Sequence, residues 1–268
     1  MSEPSGDHAA DPARRFGGVQ RLYGAAALVR FQAAHVCVVG IGGVGSWAAE
    51  ALARSAIGRI TLIDLDMVAE SNVNRQIQAL GDVFGKAKTD VMAERILAIN
   101  PACRVTRIED FVASDNLDQM LDKDYDYVID AIDQVRTKAA MIAWCQAGGL
   151  PLITAGGAGG QIDPTRIEIA DLARTVQDPL LSRVRSLLRK EYGFTREPKK
   201  KFGVPAVFSS EALRYPENAT VCDDPPVLTG LNCAGFGSSV CVTAAFGLFA
   251  ASEVLKHLAI ERNEMHAF

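Results

Sequence analysis

A glycine-rich stretch between two apolar runs is the feature that most constrains the fold of this chain. Residues 35–40 have the pattern of a buried strand, and residues 44–56 have the pattern of a helix. Glycine allows a sharp turn and lets backbone N–H groups approach a phosphate without a Cβ in the way. We therefore predict a phosphate-binding loop formed by Gly40, Gly42, Gly43 and Gly45. The loop alone fits both NAD and ATP, so residues further along the chain must decide between them.

Strand-like and helix-like segments keep alternating as far as residue 160. This alternation predicts an α/β, Rossmann-like, doubly wound fold with a mostly parallel sheet and helices on both faces. Ligands of such sheets bind at the carboxyl ends of the strands, near the point where the strand order reverses. The predicted strands are 35–40, 59–64, 103–109, 125–133 and 151–157, and the predicted helices between them are 44–56, 86–100 and 137–148.

The pattern changes in the C-terminal half, where we predict that antiparallel strands are added to the sheet. Apolar runs at 161–172 and 204–216 are the candidate strands, and they flank a basic crossover segment at 175–205 with a helix near 182–193. A final helix is predicted at 237–260. The second half has too few apolar runs for a separate core, so we predict one domain over 12–268 after a disordered tail at 1–11.

Composition limits the possible partners and location of the protein. The net charge is −4, so contact with a nucleic acid would need a local basic patch. None of the six cysteines forms a C-x-x-C pair, which argues against a structural zinc site. The N-terminus has no apolar signal segment, so we expect a cytoplasmic protein.

The apolar run at 240–260 raises the question of a membrane span. Ser252, Glu253, Lys256 and His257 interrupt it, and its uncharged part is shorter than the ~20 residues that a spanning helix needs. We therefore predict a buried core helix or a dimer-interface helix, and no stable membrane insertion. Membrane association through this segment stays a minor alternative.

Polar residues after the second predicted strand favour ATP over NAD. A carboxylate such as Asp64 at a strand end can accept hydrogen bonds from ribose hydroxyls. Arg75 and Lys88 supply two cations near the glycine loop, which suits a triphosphate whose leaving pyrophosphate must be stabilised. The candidate nucleotide-binding residues beyond the glycines are Asp64, Asp66, Asn72, Arg75, Gln76 and Lys88.

A further carboxylate follows the fourth predicted strand. Asp133 ends the sequence "DAID", after Asp130. Mg²⁺ prefers one or two carboxylates together with phosphate oxygens, so Asp133 is the candidate magnesium ligand.

These motifs together resemble the adenylating domain of the ubiquitin-activating-enzyme superfamily, which includes the ThiF, MoeB and HesA types. The resemblance rests on "GIGGVGSWAAEALARSAIGRITLIDLDMVAESNVNRQ", on Lys88 and on "DAID". It implies that ATP is bound by the glycine loop around Gly42 and Gly43, its ribose by Asp64, and its phosphates by Asn72, Arg75 and Lys88. It also implies Mg²⁺ at Asp133, a homodimer, and an N-terminal arginine reaching the partner's ATP site, for which Arg15 and Arg21 are the candidates.

Motifs in the second half of the sequence narrow the resemblance to one branch of this superfamily. "TAGGAGGQIDPTRIEIADLARTVQDPL", "VFSSEALRYP" and "NCAGFGSS" resemble the branch that dehydrates threonylcarbamoyladenosine beside the tRNA anticodon. That resemblance implies a tRNA substrate, a possible sulfur-acceptor partnership with a cysteine desulfurase, and a possible catalytic role for Cys233. The alternatives are an activator of a sulfur-carrier or ubiquitin-like protein, an NAD-dependent oxidoreductase and a non-enzymatic ATP-gated adaptor.

The crossover segment supplies the local basic patch that tRNA binding would need. Its cations greatly outnumber its acids, although a solvated helix and loop would show the same pattern. The candidate RNA-binding residues are Arg183, Arg185, Arg189, Lys190, Lys199, Lys200 and Lys201.

Overall fold

The computed structural model describes residues 11–215 and 236–260. Its strands are β1 (His35–Val39), β2 (Arg59–Ile63), β3 (Arg104–Ile108), β4 (Tyr127–Asp130), β5 (Leu152–Ala155), β6 (Ile167–Asp171) and β7 (Pro205–Ser209). Its helices are α1 (Pro12–Tyr23), α2 (Ala25–Ala33), α3 (Gly45–Arg54), α4 (Lys88–Ile99), α5 (Leu117–Met120), α6 (Val135–Gly148), α7 (Pro179–Glu191) and α8 (Val240–Ala259). Short 3₁₀ helices lie at Glu70–Asn72, Pro164–Arg166 and Leu172–Arg174.

The described strands form one seven-stranded sheet in the order β3-β2-β1-β4-β5-β7-β6. Every neighbouring pair is parallel except β6 and β7, which are antiparallel. The predicted mostly parallel sheet with antiparallel pairing in its C-terminal half is therefore confirmed, and β7 itself continues the parallel part beside β5. The strand order reverses between β1 and β4, which is where ligands bind in such sheets.

The sheet is covered on both faces because alternate strand residues point to opposite sides. Val36 and Val38 of β1 pack in a core with Phe246 of α8, and that core also contains residues of α2, α3 and α4. Cys37 and Val39, the intervening residues, pack in a second core with residues of α6 and α7. Burial on both faces explains why β1 is a continuous apolar run.

Helix α8 packs against α3 and β5 through its small and apolar face, as the sequence predicts. Gly247 allows the close approach, since a Cβ there would lie 2.4 Å from the Val44 carbonyl oxygen and 2.8 Å from the Ala48 nitrogen. Among the described residues, α8 is the one helix whose length and apolar character would also suit a membrane span. Its packing against the sheet is that of a core helix, with Leu248 and Phe249 on its exposed side.

Helices α1 and α2 were not predicted from the sequence. The Asp11 Oδ1 accepts the N–H groups of Ala13 and Arg14, at 2.9 and 3.2 Å, and so caps α1. Asp11 is thus part of the domain and not of the tail predicted at 1–11, whose other residues lie outside the described ranges. Phe31 of α2 is fully buried and meets the Tyr23 ring edge-on, at 5.3 Å between centroids.

Two predicted boundaries in the second half were wrong. Helix α7 begins at Pro179, before the predicted start at 182, because the Asp178 Oδ1 accepts the Leu181 N–H at 2.9 Å and caps the helix. The strand predicted at 204–216 ends at Ser209, and residues 210–215 are loop. This loop is held at Gly160, whose carbonyl accepts the Arg214 N–H at 2.8 Å.

The α3–α8 contact predicts the effect of a single methyl group. Gly247→Ala places a Cβ against backbone atoms that cannot move aside, so we expect a loss of about 1–3 kcal/mol in the free energy of unfolding. Gly148→Ala is the matched control, because Gly148 is also helical and has no atom within 4 Å of its added Cβ. That control should gain up to about 1 kcal/mol. Chemical denaturation measures both, and equal effects would contradict the close packing.

Candidate active site

A cleft of about 410 Å³ opens at the carboxyl ends of β1, β2, β4 and β5. Predicted residues from separate segments line it together. They are Gly40, Gly42, Gly43, Asp64, Asp66, Arg75, Gln76, Lys88 and Asp133. Gly45 and Asn72 lie outside this lining.

Gly40, Gly43 and Gly45 each depend on glycine for a different reason. Gly40 has a φ of +88°, a left-handed conformation that side chains disfavour. A Cβ at Gly45 would lie 1.8 Å from the Gly40 carbonyl oxygen, so the loop closes on itself only without one. Gly42 lines the cleft with no atom within 4 Å of its missing Cβ, and Gly43 lies under the Arg75 side chain. The backbone at Gly42 is therefore open to a ligand.

Asp64 fixes the loop from the end of β2. Its Oδ2 accepts the Ile41 N–H at 2.6 Å, and its Oδ1 accepts the Asp66 N–H at 2.8 Å. Burial raises the pKa of Asp64, while Lys88 and these two N–H donors oppose the shift. Each carboxylate oxygen can accept a second hydrogen bond, so Asp64 can hold the loop and still receive ribose hydroxyls.

Lys88 places a cation at the floor of the cleft. Its Nζ lies 2.7 Å from the Asp66 Oδ2 and 3.9 Å from the Asp64 Oδ1. The Lys88 side chain is 7% exposed, whereas that of Asp66 is 73% exposed. Asp66 thus neutralises a buried ammonium group and can turn away when an anionic ligand replaces it.

Arg75 lines the same cleft, with its side chain against Gly43 of the glycine loop. Its Nη1 donates to the Ser71 carbonyl and to the Asn74 Oδ1, both at 2.9 Å. Its own carbonyl accepts the Trp47 Nε1–H of α3 at 2.9 Å. These contacts hold the guanidinium group at the cleft with N–H donors left for a phosphate.

Two amide side chains near Arg75 form hydrogen bonds that stabilise its surroundings. The Asn72 Oδ1 accepts the Ala69 N–H at 3.0 Å and so stabilises the 3₁₀ turn that precedes Arg75. Gln78, which sequence reasoning missed, donates from Nε2 to the Ile41 carbonyl at 3.0 Å and to the Gln76 Oε1 at 3.1 Å. The repeated glutamine in "NRQIQ" was the available signal for this contact.

The two aspartates of "DAID" occupy different environments. Asp133 lines the cleft, whereas Asp130 is fully buried and forms an ion pair with Lys138 of α6 at 2.7 Å. The Thr154 hydroxyl donates to Asp130 Oδ2 at 2.7 Å. Burial raises the pKa of Asp130, and Lys138 opposes that shift. Lys138 was missed because a lysine in a helical run usually indicates a solvated face.

Asp133, the predicted magnesium ligand, lines the cleft together with Asp64, Asp66 and Asp110. Among the described residues, no group of three or more histidine, cysteine or acidic side chains could hold a metal. A single carboxylate at Asp133 fits Mg²⁺ only when phosphate oxygens and water complete the coordination. The site therefore suits a metal that arrives with a nucleotide.

Cysteine chemistry has no support among the described residues. Cys37, Cys103 and Cys145 are buried, and burial raises the pKa of each thiol, to about 11 for Cys103 and about 12 for Cys145. Cys241 is exposed and does not line the cleft. Cys233 lies outside the described residues, so its catalytic role stays a prediction.

The predicted RNA-binding residues divide into two groups. Arg183 and Lys190 point outward from α7, and the three lysines before β7 are exposed, although Lys200 pairs with Glu197 at 2.7 Å. The exposed members of the set are Arg183, Lys190, Lys199, Lys200 and Lys201.

Arg185 and Arg189 are half-buried along one side of α7. Arg189 donates to the Thr195 carbonyl at 3.3 Å and lies 5.2 Å from the centre of the Phe202 ring. Arg185 donates to the Thr175 hydroxyl, and burial lowers the pKa of its guanidinium group. Arg189 therefore has a packing role, whereas Arg185 also borders a second cavity.

Of the two N-terminal arginines, Arg15 is engaged within its own chain. Its Nη1 donates to the carbonyls of Ala98 and Ile99, at 3.0 and 2.6 Å, at the end of α4. These bonds satisfy helix-end carbonyls, so Arg15 is accounted for by the fold. Arg21 is the remaining candidate for a contact with another subunit.

Comparison with known proteins agrees with this geometry. The family model described as the ThiF family matches residues 17–267. The tRNA threonylcarbamoyladenosine dehydratase of Escherichia coli strain K12 is 56% identical over 250 residues, covering 91% of this chain and 93% of that protein. A crystal structure of the E. coli tRNA N6-threonylcarbamoyladenosine dehydratase in complex with ATP has a TM-score of 0.83, at 55% identity, covering 92% of this chain and 94% of that one.

The same E. coli enzyme in complex with AMP gives a TM-score of 0.84, at 54% identity, covering 95% of this chain and 98% of that one. The similarity therefore includes both the half of the chain with the glycine loop and the C-terminal half with β6 and β7. The chain belongs to the ThiF family.

Proposed function

We propose that this protein uses ATP to dehydrate, and thereby cyclise, threonylcarbamoyladenosine in tRNA next to the anticodon. The observation that carries the proposal is the cleft, where the open Gly42 backbone, Arg75 and Lys88 border one space. Two cations beside a glycine loop suit a triphosphate better than a dinucleotide. Similarity to the E. coli dehydratase across both halves of the chain supports the tRNA substrate.

The first proposed step joins the threonyl carboxylate to the α-phosphate of ATP. A carboxylate oxygen attacks the α-phosphorus, the bond to the bridging oxygen breaks, and pyrophosphate leaves with the electron pair. Arg75 and Lys88 stabilise the charge that develops on the phosphates, because their cationic groups are already held at the cleft. Mg²⁺ held by Asp133 and phosphate oxygens would neutralise further charge.

The second proposed step closes the ring. The carbamoyl group attacks the activated carbonyl, and AMP leaves with the original carboxylate oxygen while the carbamoyl proton passes to solvent. The substrate side chain has then lost the elements of one water. The attack is intramolecular, so positioning supplies much of the rate enhancement and no protein nucleophile is needed.

Further parts of the proposal concern assembly and location. We expect a homodimer, supported by the exposed apolar side chains Leu248 and Phe249 on α8 and by Leu22 on α1. A cytoplasmic location and a sulfur-acceptor partnership with a cysteine desulfurase stay predictions from the sequence.

The main alternative function, activation of a sulfur-carrier protein, differs in its acceptor, which would be a protein C-terminus instead of tRNA. Pyrophosphate exchange with ATP should therefore depend on tRNA and not on a protein C-terminus.

The direct test follows the mass of the modified nucleoside. Incubation of tRNA carrying threonylcarbamoyladenosine with the protein, ATP and Mg²⁺ should lower that nucleoside's mass by one water and release AMP. A control without ATP should leave the mass unchanged. An unchanged mass with folded protein that binds ATP would contradict the proposal.

Lys88→Met and Asp133→Asn test the two charges in the cleft. Each should lower the rate of AMP formation by roughly 10²–10³-fold, because each removes charge stabilisation at the phosphates. Lys86→Met is the matched control: Lys86 is exposed, is two residues away, and does not line the cleft. Thermal unfolding of each variant separates lost chemistry from lost fold. Wild-type rates in both variants would remove these residues from the mechanism.

Charge reversal on α7 tests the tRNA contact. Arg183→Glu with Lys190→Glu should weaken tRNA binding and flatten its salt dependence by about two units of slope, since two phosphate contacts are lost. Lys123→Glu makes the same kind of change at an exposed position in the segment before β4, outside both α7 and the cleft lining. Binding measured over a salt series should change for α7 and not for Lys123. The same slope in all variants would exclude α7 as a phosphate contact.

A further inference from the structure

A second cavity, which we call the lateral groove, lies between the first turns of α7 and the loop after β7. It has a volume of about 440 Å³, within the usual range for small-ligand sites. Both α7 and the loop after β7 contribute residues to its lining. The lining residues used below are Asp178, Arg185 and Tyr215.

The lateral groove adjoins the cleft through an aromatic pair. Tyr215 lines the groove and Phe236 lines the cleft, and their ring centroids are 5.2 Å apart. Gly160 fixes both segments, because its carbonyl accepts the Arg214 N–H and its N–H donates to the Gly237 carbonyl, each at 2.8 Å. A molecule that extends out of the cleft past Phe236 therefore reaches Tyr215 next.

A buried carboxylate makes a second connection between the two cavities. The Asp178 Oδ2 accepts the Gly157 N–H at 2.9 Å, and the neighbouring Gly156 lines the cleft. Asp178 also caps α7, so its carboxylate is occupied by backbone donors on both sides. Arg185 is the one cation of the groove lining, and the charge of Asp178 acts on it.

The chemistry of the groove suits a nucleotide. Tyr215 is 70% exposed, which is unusual for a large aromatic side chain and leaves a ring face open. Arg185 is oriented by the Thr175 hydroxyl and offers further N–H donors to a phosphate. RNA-binding proteins commonly stack unpaired bases on exposed aromatic rings. An aromatic platform and a fixed cation in one groove match the base and phosphate of a single nucleotide.

We infer that the lateral groove binds the tRNA nucleotide adjacent to the modified adenosine, with its base on Tyr215 and its phosphate at Arg185. This inference rests on the proposed function, since it assumes that the cleft takes the side chain of a tRNA base. That base must leave its stack to bring the threonyl carboxylate to ATP. Its neighbour loses a stacking partner, and Tyr215 replaces that partner.

Steady-state kinetics of the full-length protein test the stacking. Tyr215→Ala should raise KM for the modified tRNA roughly 5- to 100-fold and leave KM for ATP unchanged, whereas Tyr215→Phe should retain the wild-type KM. Tyr192→Ala is the matched control, because Tyr192 is exposed at the other end of α7 and does not line the groove. Equal increases in KM for Tyr215→Ala and Tyr192→Ala, or no increase for Tyr215→Ala, would overturn the inference.

Binding without catalysis separates this inference from the proposed function. The probe is an unmodified anticodon stem-loop RNA with 2-aminopurine next to the target adenosine. Its fluorescence should be quenched on binding to the wild-type protein and to Tyr215→Phe, and not on binding to Tyr215→Ala.

Arg185→Gln, which keeps a donor for Thr175, should lower the salt slope of the same binding by about one. If the wild-type protein dehydrates tRNA but does not quench the probe, the inference about the lateral groove is overturned and the proposed function stands. Protein that quenches the probe but does not dehydrate tRNA would overturn the proposed function.

Discussion

The ion pair between Asp130 and Lys138 is the interaction on which the active edge of the sheet depends. Both side chains have no exposed surface, and they are joined by Thr154, so the pair links β4, β5 and α6. Asp130 also accepts the Ile132 N–H at 3.3 Å, which shapes the turn that carries Asp133. Loss of one partner of such a pair leaves an uncompensated buried charge and typically costs about 3–5 kcal/mol.

The turn shaped by Asp130 supports the glycine loop, which follows the neighbouring strand β1. Cβ atoms added at Gly40 or Gly45 would lie 3.0 Å from the Ala131 carbonyl oxygen and 3.3 Å from the Ala131 Cβ, respectively. Lys138 also acts electrostatically on Asp178, which caps α7 and receives the Gly157 N–H. One buried lysine thus connects the glycine loop, the turn that carries Asp133 and the start of the lateral groove.

The sequence predicted the parts of the molecule that depend on local patterning. The β1–α3 loop, the parallel strands and α8 were predictable because glycine spacing and apolar runs indicate them directly. Helices α1 and α2 were not, since their stability comes from tertiary contacts such as the burial of Phe31. Gln78 and Lys138 were missed for a related reason: a polar residue bonded in the interior has no sequence pattern that separates it from a solvated one.

The basic crossover segment shows why charge counts alone cannot define an RNA surface. Arg189 donates a hydrogen bond to the Thr195 carbonyl, and its guanidinium group lies over the Phe202 ring. Both contacts stabilise the domain. Arg185, one helical turn earlier, faces the groove beside the cleft. Because the whole chain carries a net charge of −4, the tRNA affinity that we propose must come from local clusters of cations. On α7 the exposed Arg183 and Lys190, and not the half-buried Arg189, are the candidates for that role.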